Sequence, residues 1–133
     1  MNDSGIENLK GILSCCRRLE SLETWCGYGD YYLNETILLD TIVKFSPGTF
    51  HELEIHYVDH NRLFRGELEP LLVGWANRAS QRSLSLIVNG YDDTFVKVEK
   101  ESMEAIEKFE ELGVIKKFEL VDNGSIFTVS NLY

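Results

Sequence analysis

The chain has 133 residues, 44% of them hydrophobic, which is enough to fill the core of one domain. Its formal net charge of −9, from 13 basic and 22 acidic side chains, argues against nucleic acid and anionic membranes as partners, because clustered Lys and Arg hold both. It has no apolar run of the ~18 residues that a membrane span needs. Its opening "MNDSGIENLKGILSCC" lacks the basic start and long apolar stretch of a secretory signal.

In chain order, Ile6, Leu9, Ile12, Leu13 and Cys16 recur at helical spacing, with Ser4 and Glu7 placed as a capping box. The stretch "SLETWCGYGDYYLNE", Ser21 to Glu35, then reads as a strand, a loop and the start of the next helix. Gly27 and Gly29 suit positive backbone angles in that loop, and Tyr28, Tyr31 and Tyr32 are expected to cover the rim of the core. Asn34 is placed to cap a second helix carrying Ile37, Leu38, Thr41, Ile42 and Phe45, which Pro47-Gly48 stops. "HELEIHY" alternates as the second strand. Leu68, Leu71, Leu72, Trp75 and Ala76 form a third helical stripe with Pro70 in its first turn, where a missing N–H costs little.

"SLSLIV" is the third strand, followed by a turn at Asn89-Gly90 in "NGYDDT". Met103, Ile106, Phe109 and Leu112 mark the fourth helix, with Gly113 as its C-terminal cap and "KKFELV" as the fourth strand. "NGSIFTVSNLY" is expected to add an edge strand, to cap the end or to fray.

The strands share one template, apolar-x-x-apolar-x-apolar: Leu19, Leu22, Thr24; Phe50, Leu53, Ile55; Gln81, Leu84, Leu86; Ile115, Phe118, Leu120. The predicted class is therefore α/β, one domain over 1–133, with units at about 4–30, 34–62, 66–93 and 99–123 and a tail from 124. Strands joined by helical crossovers run parallel. Two architectures satisfy that: a doubly wound sheet with continuous apolar strands, or a solenoid with helices on one face and alternating strands. The alternation in "HELEIHY" and "KKFELV" favours the solenoid.

Positions alternating with the buried anchors face outward. These are Ser21, Glu23 and Trp25; Glu52, Glu54 and His56; Ser83, Ser85 and Ile87; Lys117, Glu119 and Val121. Aligning the anchors predicts a row Glu23, Glu54, Ser85, Glu119 and a row Trp25, His56, Ile87, Val121. An acidic row beside a partly apolar one with a tryptophan suits a protein partner with a basic or mixed peptide surface. The candidate binding residues are Glu23, Trp25, Glu54, His56, Ser85, Ile87 and Glu119.

Catalytic signatures are missing from the sequence: no G-x-S-x-G, P-loop or G-x-G-x-x-G occurs. His51, His56 and His60 do not match a common zinc spacing, and "EKESMEAIEKFEE" reads as a solvated helix face. No cofactor or metal is expected. Cys15, Cys16 and Cys26, odd in number and without C-x-x-C, predict buried apolar fillers and a reducing, cytoplasmic or nuclear, compartment. A non-enzymatic interaction module follows. The rival is a small doubly wound enzyme, with its site at the C-terminal strand ends near 26–30, 58–62, 89–93 and 122–124.

The template resembles the leucine-rich repeat, L-x-x-L-x-L-x-x-N, whose asparagine position falls on Gly27, Val58, Asn89 and Asn123. "WCG…YLNE", "SP…F-x-EL", "LLVGWANRASQRSLSLIV" and "LGVIKKFELVD" resemble the C-terminal repeats of fungal F-box/leucine-rich-repeat proteins, a family expanded in arbuscular mycorrhizal fungi. The resemblance runs from about Ile6 to Asp122. It implies substrate recognition for an SCF-type ubiquitin ligase, whose adaptor docks an F-box upstream of the repeats. The sequence begins within the repeats and shows no F-box, so a truncated paralogue without function, a gene fragment or a C-terminal piece of a longer chain is also expected.

Overall fold

The computed structural model describes residues 3–27, 33–58, 63–78, 82–90, 100–122 and 125–128. Among them helices and strands alternate: α1 Asp3–Cys15, β1 Ser21–Cys26, α2 Glu35–Phe45, β2 Glu52–Tyr57, a short 3₁₀ turn Leu63–Gly66, α3 Leu68–Ala76, β3 Leu84–Gly90, α4 Lys100–Glu111, β4 Ile115–Asp122 and β5 Ser125–Thr128. The sheet keeps chain order, β1-β2-β3-β4-β5. β1 to β4 pair in parallel, and β5 turns back antiparallel onto β4. The chain is an α/β protein with a parallel sheet, as its strand–helix alternation predicts. The tail supplies an edge strand.

Local chemistry sets most helix ends. The Asn34 side chain accepts from the N–H groups of Thr36 (2.9 Å) and Ile37 (3.1 Å), satisfying two donors that α2 would otherwise leave unpaired. α2 ends at Phe45, with Ser46 extended before Pro47. Pro70 lies in the first turn of α3. Gly113 follows α4 at φ 77°, a left-handed conformation that favours glycine. α1 begins at Asp3, so Ser4 lies within it, and the side-chain contacts of the expected capping box fall outside the described residues. Gly27 has no positive φ. Its value is steric: a Cβ there would meet Val58 Cγ2 at 2.7 Å, where the chain leaving β1 runs close to the chain leaving β2.

One core joins the inward sheet residues to all four helices. Leu53 and Ile55, Leu86 and Val88, and Phe118 and Leu120 meet Leu9 and Leu13, Leu38, Leu39 and Ile42, Leu68, Leu72 and Trp75, and Met103, Ile106 and Phe109. Successive helices touch, α1 to α2, α2 to α3 and α3 to α4. The apolar stripes overran this contact zone. Ile12, Ile37, Phe45 and Leu112 belong to their helical patterns but are exposed. Cys15 and Cys16 are exposed too, so only Cys26 is the buried filler that was expected.

The ladder corrects the predicted rows at β3. Leu22, Leu53, Leu86 and Phe118 share one row, and Thr24, Ile55, Val88 and Leu120 the next. β3 is therefore displaced by two residues from the template alignment. The displacement is the same against both neighbours, Leu86 pairing with Leu53 on one side and with Phe118 on the other. Leu84 pairs with Ile115 while Ser85 pairs with Lys117, so β4 holds one more residue, Lys116, than β3 at this point. Leu84 then fills the first-anchor place that the template gave to Gln81. A shift of two preserves which face each side chain takes. Asn89 and Gly90 belong to β3 rather than to a turn. Gly29, Tyr28, Tyr31, Tyr32, His60, Asp92, Asp93 and Asn123 lie outside the described residues.

Candidate functional site

The outer face of the sheet gathers the candidate residues in rows fixed by the parallel register. Glu23, Glu54, Ile87 and Glu119 form one row. Trp25, His56, Asn89 and Val121 form the next, toward the C-terminal ends of the strands. Ser85 leaves the acidic row, where sequence alignment placed it. It sits beside Glu52 and Lys117 and is buried. Ile87 takes its place next to Glu54, and Asn89 takes the place beside His56.

His56 is the centre of the arrangement. It is only 8% exposed, whereas Trp25 above it is 48% exposed. Their rings stack with centroids 4.9 Å apart and planes 24° from parallel. That stacking uses one face of the indole and holds the imidazole in orientation. His56 Nε2 faces the carboxylates of both neighbouring glutamates. It pairs with Glu23 Oε2 and lies 3.8 Å from Glu54 Oε2. Asn89 Nδ2 donates to the same Glu54 oxygen at 2.8 Å.

One imidazole N–H cannot serve two carboxylates at once. Glu23 takes it, and the amide of Asn89 supports Glu54 instead. Further along the acidic row, Lys117 Nζ lies 3.6 Å from Glu119 Oε1. Among the described strand residues, the face carries the carboxylates of Glu23, Glu52, Glu54 and Glu119, with the ammonium of Lys117 and the imidazole of His56.

The structure brings together Glu23, Trp25, Glu54 and His56, all read as outward from the alternation of β1 and β2. Glu119 and Ile87 lie on the same face, two strands and one strand away from Glu54. The residue that sequence reasoning missed is Asn89, assigned there to a turn. Its signal lay in "SLSLIVN": with Leu86 and Val88 as the inward pair, Asn89 continues the outward alternation. His51 does not join His56. It lies just before β2, with Nε2 3.8 Å from Glu20 Oε1.

Away from this face, Cys26 is fully buried. Burial pushes its thiol well above the ordinary range, and the charge of Glu35 adds to the shift. A thiol held protonated in this way is a poor nucleophile and a packing residue. No helix among the described residues is long and apolar enough to cross a membrane. Comparisons with protein-family descriptions, curated proteins and solved structures gave no match.

Proposed function

We propose that the chain is a non-enzymatic protein-interaction module that binds a basic partner surface on the outer face of its sheet. The observation that carries this is Trp25, half exposed and propped on His56, beside the carboxylates of Glu23 and Glu54. An exposed tryptophan rigidly backed by a second ring offers contact area at little entropic cost. The surrounding carboxylates favour lysine and arginine side chains, whose cations also stack on indole.

The architecture in this proposal is a leucine-rich-repeat-like solenoid of four helix–strand units. Chain-order pairing of β1 to β4, one core shared by all four helices and contacts between successive helices support it. A doubly wound enzyme binds substrate where the strand order reverses, and β1 to β4 run without such a reversal. The resemblance to F-box repeats adds a setting, in which this face selects a substrate for a ubiquitin ligase if an F-box lies upstream. A soluble, cytoplasmic or nuclear location belongs to the same proposal.

Affinity capture from an extract of the source organism tests it, with wild type compared against Trp25→Ala, Glu54→Ala and the control Leu112→Ala, an exposed position on the helical side. Captured proteins that disappear with the first two variants, persist with the control and are released by salt support the proposal. If no captured protein depends on Trp25 or Glu54, the proposal fails.

A further inference from the structure

We infer that Glu23, Glu54 and His56 form a binding site for a divalent transition-metal ion of the zinc type. Each offers one donor atom, and these atoms all lie within 4.8 Å of one another. Three points so placed always have a position no farther than 4.8/√3, about 2.8 Å, from each. Binding requires the glutamate side chains to turn until the donors stand at the ~2.0–2.2 Å of zinc–nitrogen and zinc–carboxylate bonds. The backbone need not move, because β1 and β2 fix the three residues in register.

The chemistry of the donors selects the ion. One imidazole nitrogen with two carboxylate oxygens suits zinc and its first-row neighbours better than magnesium or calcium, which take oxygen alone. His56 Nε2 pairs with Glu23 while Glu54 stays 3.8 Å away. A divalent ion placed between them engages all three donors at once.

Supporting contacts are already built around the donors. Trp25 holds the imidazole plane at 4.9 Å, and Asn89 holds the Glu54 carboxylate at 2.8 Å. His56 is nine-tenths buried with Nε2 aimed between the glutamates, while Glu23 is exposed. Three protein ligands leave a coordination position facing solvent, as in sites that accept a water or an incoming ligand. The site stands whether or not this face docks a protein.

Isothermal titration of Zn²⁺ into the full chain tests it, in a Cys15→Ser/Cys16→Ser background. The two exposed thiols would otherwise compete for the ion. One Zn²⁺ per chain is expected, bound more weakly as pH falls because His56 must give up its proton. His56→Gln and Glu23→Gln each weaken binding at least ten-fold. Asn89→Ala weakens it less, and Glu119→Gln leaves it unchanged. Circular dichroism confirms that each variant is folded. Ligand-field absorption of bound Co²⁺ gives a second readout, lost in His56→Gln. Absence of Zn²⁺ binding, or binding indifferent to both His56→Gln and Glu23→Gln, overturns the assignment and leaves Glu23–His56 as an ordinary ion pair.

Discussion

Replacing Trp75 with alanine is the severest single test of how the layers are tied together. Trp75 lies in α3 and is fully buried. Its ring meets Phe50 edge-on at 6.4 Å, and the Arg78 guanidinium lies over it at 4.7 Å. Its indole N–H donates to the Arg82 carbonyl at 2.8 Å, just before β3. One side chain thus joins a helix, the entrance of β2 and the entrance of β3. Removing it loses about 3–5 kcal/mol for the buried ring and the space left behind. The lost hydrogen bond adds about 1 kcal/mol.

Trp75→Phe keeps most of the ring and costs about 1–2 kcal/mol, chiefly that hydrogen bond and the unfilled volume. Urea unfolding followed by far-ultraviolet circular dichroism measures both. With a slope of ~1–3 kcal/mol per molar urea, Trp75→Ala lowers the midpoint by at least about 1 M, or leaves the chain unfolded in water. A Trp75→Ala midpoint within experimental error of wild type refutes the reasoning. So does a Trp75→Phe loss as large as that of Trp75→Ala, which would mean that packing of the ring contributes nothing.

Asn34→Ala removes both capping hydrogen bonds of α2 and costs about 1 kcal/mol in the same assay, whereas Asn34→Asp, which can still accept them, costs less. Under native conditions a thiol reagent modifies Cys15 and Cys16 quickly and Cys26 only after unfolding, as peptide mapping will show. Glu110 has its carboxyl raised, first by partial burial and then by the charge of Glu107. The folded state therefore binds its proton more tightly than the unfolded chain, and Glu110 lowers stability as pH rises from the ordinary carboxylate value through the raised one. Glu110→Gln accordingly gives a small gain in melting temperature at pH 7 that vanishes below the ordinary carboxylate range, a gain kept small by solvent screening at this partly buried group.

The elements and their faces were legible because each rests on a local signal. Helical stripes, the Asn34 cap, Pro47-Gly48 and Gly113 set the helices, and alternation set the inward and outward sides of β1, β2 and β4. The register of β3 was not legible. In "SLSLIV", Leu84-Leu86 and Leu86-Val88 are equally good inward pairs of the same parity, so sequence alone permits two alignments two residues apart. The neighbouring strands decide between them, Leu86 pairing with Leu53 of β2 and Phe118 of β4.

The site inherits this pattern. Glu23, Trp25, Glu54 and His56 come from the two strands with unambiguous alternation. Asn89 was lost to a turn assignment, and the β3 shift moves Ser85 out of the acidic row to a place beside Glu52 and Lys117. Ile37, Phe45 and Leu112 show the complementary limit. A helix's apolar stripe records where burial is possible, whereas the neighbouring layer decides how much of it is covered.

The outer-face site depends above all on the strand register, and paired cysteines measure that directly. In a Cys15→Ser/Cys16→Ser background, the variant Glu54→Cys/Ile87→Cys places the two thiols on ladder partners about 4.8 Å apart, within disulfide range. Glu54→Cys/Ser85→Cys separates them by a further two residues, to about 8 Å, which is too far. Mild oxidation and mass-spectrometric mapping should find the bridge in the first variant and not in the second. A bridge between 54 and 85, with none between 54 and 87, would restore the template alignment and take Asn89 away from Glu54.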